Sequence, residues 1–69
     1  MADDVKFPDV TVRLPDENSP FIQGLLLVGR VVRALQRAGH GHAVEAFRTE
    51  AAGDHDHMLQ TAMAYVNVK

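Results

Sequence analysis

The chain has 69 residues, seven Lys or Arg against nine Asp or Glu, a net charge of -2 and no cysteine. That length holds one domain and one small core, the charge gives the whole molecule no field that draws it onto nucleic acid or an anionic membrane, and the missing cysteines exclude disulfides, thiol nucleophiles and zinc-finger spacing. Cores of this size are usually stapled by a disulfide, a metal or a partner chain, so self-association is the staple that remains. The longest apolar run, Leu25 to Val28, is far shorter than a membrane span, and the acidic start Met1-Ala2-Asp3-Asp4 is unlike a signal sequence. A soluble, unprocessed, cytoplasmic chain is expected.

Residues 1-9 form a polar arm with Val5 and Phe7, broken by Pro8, which lacks a backbone donor. The domain proper is expected over 10-69. From Val10 to Leu14, Val10, Val12 and Leu14 alternate with Thr11 and Arg13, the period of a half-buried first strand. The turn formers Pro15 to Pro20 end in a helix start, with Ser19 as N-cap and Pro20 in the first helical position. A long amphipathic helix follows. Phe21, Leu25, Val28, Val32 and Leu35 share one stripe, widened by Gly24, Leu27 and Val31, while Gln23, Arg30, Arg33 and Arg37 lie opposite. Leu26 falls among the arginines, where a monomer has no use for it. Gly39 supplies the helix stop, and His40-Gly41-His42 is the connection.

A shorter second helix runs from Ala43 to Ala51, with Val44, Phe47 and Ala51 on one face and Glu45, Arg48 and Glu50 in solvent. Asp54 is a good N-cap for a third helix in which Leu59, Ala62, Met63 and Val66 recur at helical spacing. Near Ala64 the pattern turns to alternation, Ala64, Val66 and Val68 against Tyr65, Asn67 and Lys69, so a second strand ends the chain. The expected fold is α+β, ordered strand-helix-helix-helix-strand, with the long helix packed on a small two-stranded sheet. Exposed edges of that sheet invite a second subunit.

The sequence Asn18-Ser19-Pro20-Phe21-Ile22-x-Gly24, Ala34-Leu35 and Ala38-Gly39 at the helix end, Glu45-Ala46-Phe47-Arg48-x-Glu50, the run Gly53 to Thr61 and the closing Val66-Asn67-Val68 together carry a resemblance. Over Val10 to Lys69 the chain resembles small proteins encoded by phages of actinobacteria, the mycobacteriophage-type viruses, and by their prophages. His55 stands where those proteins carry an aromatic residue between two acidic ones. The resemblance implies a viral origin and a host-cell cytoplasmic setting; the group has no established activity, so it implies no functional residues.

Four histidines, His40, His42, His55 and His57, sit in two pairs beside Asp54 and Asp56. Imidazole and carboxylate suit Zn²⁺ or Ni²⁺, but residues two apart on a helix point to different faces and Asp54 is committed to capping, so solvated loop histidines are the expectation and no cofactor is assigned. Arg30, Arg33 and Arg37 form a stripe able to meet phosphates, though three contacts imply a salt slope of only about -2.7. The helix-turn-helix-like span Val28 to Ala51 offers a groove one basic side chain, Arg48, in its second helix. One Ser assigned to a cap, one Tyr and scattered acids make no catalytic constellation, and no phosphate-loop glycine spacing occurs. The expectation is therefore a non-enzymatic, self-associating interaction module with Leu26, Arg30, Arg33 and Arg37 on its working surface and a host protein as a further partner. The alternative is a small regulatory nucleic-acid binder using the three arginines.

Overall fold

A computed structural model describes residues 5-69. Its elements are β1 (Phe7–Val12), α1 (Pro20–Arg37), a 3-10 turn (Gly41–Ala43), α2 (Val44–Glu50), α3 (His55–Tyr65) and β2 (Val66–Val68). The order and class expected from the sequence are the ones observed. The first strand begins earlier than the alternation suggests, at Phe7 rather than Val10, and ends at Val12 rather than Leu14. Phe7 pairs with Val66, then the ladder is irregular until Thr11 and Val12 meet Asn67 and Val68. Pro8 lies inside that irregularity, where a missing N–H costs no ladder bond.

The two strands are parallel. A parallel pair needs a long crossover, and the three helices supply it. They also cover the inner face, without which two strands do not hold. Val10, Val12, Leu27, Val31, Leu35, Phe47, Ala51, Ala62, Tyr65 and Val66 make one core. Phe47 meets the Tyr65 ring edge-on at 5.1 Å between centroids. The last helix runs one residue beyond Ala64, which takes Tyr65 out of the strand alternation and turns it into the core.

The helix ends are those the sequence encodes. The Ser19 hydroxyl accepts from the Ile22 N–H, with Pro20 next in line. At the other end His40 N–H donates to Leu35 C=O and Gly39 N–H to Gln36 C=O, the paired bonds of a Schellman stop, with Gly39 at φ +86°. Asp54 caps α3 by accepting from His57 N–H at 2.9 Å.

The buried line of α1 is Gly24, Leu27, Val31 and Leu35. This is a rotation of roughly 75°, at about 100° per residue, from the stripe of Phe21, Leu25, Val28, Val32 and Leu35. The reason is Gly24. A Cβ there would stand 2.7 Å from Met58 Cε and 3.3 Å from His55 Cδ2, so α3 approaches α1 at this glycine and fixes which part of the wide apolar sector faces inward.

Candidate interaction surfaces on the long helix

Because the core takes only part of the apolar sector, the remainder is left in solvent. Phe21 is 57% exposed, Leu25 48%, Leu26 47% and Ile22 41%. Val28 and Val32 continue the row half-buried at the rim of the core. Leu26, singled out by sequence as the stray leucine, is thus one of several. Leu25, Leu26, Gly29, Arg30 and Arg33 line a recess of about 260 Å³. Gly29 has open space within 4 Å where a Cβ would point. It carries the cost of a glycine inside a helix, up to about 1 kcal/mol relative to Ala, with nothing in the same chain packed against it.

On the adjoining side of α1 the arginines meet β1. Thr11, Val12 and Arg13 line one wall of a groove of about 290 Å³, and Arg30, Arg33, Ala34 and Arg37 the other. Arg13 is the member that sequence reasoning missed. Its outward place in the strand alternation was legible, but its nearness to an arginine stripe seventeen or more positions away was not. Arg30 donates from its guanidinium to Arg13 C=O at 3.3 Å, and among the described residues no carboxylate pairs with any of the four arginines. A second recess of about 220 Å³ continues along Asp9, Val10 and Thr11 to Ala34, Arg37 and Ala38. The Asp9 carboxyl is held below its ordinary value by its hydrogen bond with His40, then by a bond to its own backbone N–H.

The histidine pairs are engaged separately. His40 bonds Asp9 at 3.1 Å and stacks at a tilt against Phe7, with its centroid 4.4 Å away. His42 lies edge-on to the same ring. His55 meets the Gln23 amide, and His57 the Glu50 carbonyl. Among the described residues no three His, Asp or Glu side chains gather into a metal-binding group.

Another recess, of about 620 Å³, lies between the end of α1 and α2 and is lined by Gln36, Gly41, Val44, Glu45, Arg48 and Thr49. Under the far side of the core, Tyr65 donates to Glu50 Oε2 at 2.6 Å, and Lys6 Nζ sits 4.4 Å above the Tyr65 ring. Burial first, and then the Glu50 carboxylate, push the Tyr65 phenol up to about 12. No helix of the described residues is long and apolar enough to cross a membrane. Comparison with known proteins gives no match: no family model, curated protein or solved structure is similar to the chain.

Proposed function

We propose that the protein is a non-enzymatic interaction module that self-associates by packing α1 against α1 of a second copy. One observation carries this reading: the apolar row on α1 that is exposed at Phe21 and Leu25 and only half-buried at Val28 and Val32. Phe21, Leu25, Val28 and Val32 are spaced four, three and four residues apart, which is the a/d seam of a two-helix coiled coil. An antiparallel pair sets Phe21 opposite Val32 and Leu25 opposite Val28, each on both sides of a twofold axis. Gly29 then has a purpose, since a hole without a side chain admits a knob from the facing helix.

A chain of this size with no disulfide gains the staple it lacks from such a pair. The resemblance to phage-encoded proteins supports a setting in the cytoplasm of a host cell, with a host protein as the eventual target of the dimer.

Light scattering coupled to size exclusion tests the proposal on the full chain. We expect twice the mass of 7.6 kDa at micromolar concentration and a single-copy mass for Leu25→Asp, with far-UV circular dichroism unchanged because Leu25 lies outside the core. A single-copy mass for the unaltered chain at every concentration overturns it.

A further inference from the structure

The groove between β1 and the arginines of α1 is a different surface from the apolar row and calls for a different occupant. Its floor is set by backbone direction. Val12 C=O accepts from Lys69 N–H, and Leu14 N–H donates to Lys69 C=O. Alternate residues of a strand turn their backbone groups to opposite sides, so Thr11 and Arg13 direct theirs to the open edge. Arg30 donating to Arg13 C=O from α1 is the direct sign of that direction. Arg30 closes one end of the edge, and Asp9, its carboxylate held by His40 at 3.1 Å, stands at the other. What remains between them is Thr11 N–H, Thr11 C=O and Arg13 N–H, a short segment of strand ready for pairing.

We infer that this groove receives an extended acidic peptide segment of a partner protein, added to β1 as a third strand with its carboxylates on the arginine wall. Strand addition at an open edge supplies affinity through main-chain hydrogen bonds, and flanking side chains supply selectivity. Here the flanking groups are Arg13, Arg30, Arg33 and Arg37, four of the chain's seven Lys and Arg, gathered on one groove of a molecule whose net charge is -2. Guanidinium groups bind carboxylates in paired, charge-assisted hydrogen bonds.

A nucleic-acid strand fits the groove less well. Single-strand binders stack bases on aromatic side chains, and no aromatic residue lines either recess. A nucleic acid also has no main-chain amide pattern to match Thr11 and Arg13.

Fluorescence polarisation with a short labelled peptide of alternating glutamate and valine, titrated with the full chain, tests the assignment. We expect saturable binding, weakened about tenfold or more in the Arg33→Ala/Arg37→Ala double variant, since charge-assisted bonds are the stronger class. Both side chains are exposed and make no hydrogen bond among the described residues, so the variant keeps its fold. Methylating alternate peptide N–H groups, which leaves every carboxylate in place, is expected to weaken binding to a similar degree, and the Thr11 and Arg13 amide resonances to shift on titration with the unmethylated peptide. The Leu25→Asp variant retains the affinity, which separates this surface from the self-association seam. Absence of saturable binding overturns the inference. So does equal affinity for the methylated peptide, or tighter binding of a single-stranded oligonucleotide of matched charge, either of which makes the groove a general polyanion surface.

Discussion

Tyr65 shows how a single residue ties the end of α3 to α2. Its ring is 2% exposed, packed edge-on to Phe47, and its hydroxyl reaches outward to Glu50. A phenol that ionises at about 12 when folded, against an ordinary value of 10.0, favours the folded state only while it stays protonated. That contribution is whole below about pH 10 and is lost as the pH rises through about 12. Tyr65→Phe is expected to cost about 1 kcal/mol near neutrality, the usual worth of one hydrogen bond, and to flatten the alkaline fall in stability between those limits. Urea denaturation at a series of alkaline pH values, with phenolate absorbance followed alongside, checks it; a variant with the same alkaline slope as the parent sinks the assignment. Tyr65 was legible in the sequence as an aromatic near the chain end, but its direction was not. Alternation from Ala64 set it on the face opposite Val66 and Val68, whereas one further helical residue turns it into the core.

At the scale of the element, α1 carries two glycines with opposite meanings. Gly24 makes room for Met58 and His55, and Gly29 faces open space. Replacement by Ala raises intrinsic helix stability by up to about 1 kcal/mol at either position. At Gly24 the new methyl meets Met58 in a packed site, and overpacking there costs about 1 kcal/mol or more. Gly29→Ala is therefore expected to stabilise the fold of the single chain, measured by denaturation of the Leu25→Asp background, while Gly24→Ala gives no gain. In the unaltered background Gly29→Ala is expected to weaken self-association, because the methyl fills the hole on the seam. If Gly29→Ala strengthens assembly, the seam does not pass over Gly29.

The whole molecule is a small core under a two-stranded sheet, and its margin depends on what covers the rest of α1. If a second copy does, stability becomes a function of protein concentration by mass action. The unfolding midpoint is then expected to rise with concentration for the unaltered chain and to stay constant for Leu25→Asp, as followed by circular dichroism over a hundredfold range of dilution. A concentration-independent midpoint in both removes the link between assembly and folding.

Sequence alone determined the number and order of the elements, the limits of α1 and the wide apolar sector along it, because caps, stops and periodicity are local and each is written in neighbouring residues: Ser19-Pro20, Ala38-Gly39, Gly53-Asp54. Leu26 and the stripe Arg30, Arg33 and Arg37 were legible for the same reason. Tertiary structure decided which half of that sector is buried. The sector is wider than the core can accept, and the choice falls to the approach of α3 at Gly24, some thirty residues distant along the chain. It likewise decided that Arg13 joins the helical arginines and that Phe21 and Leu25 stay in water, since the packing of β1 beside α1 is a relation between segments that no periodicity within either one records.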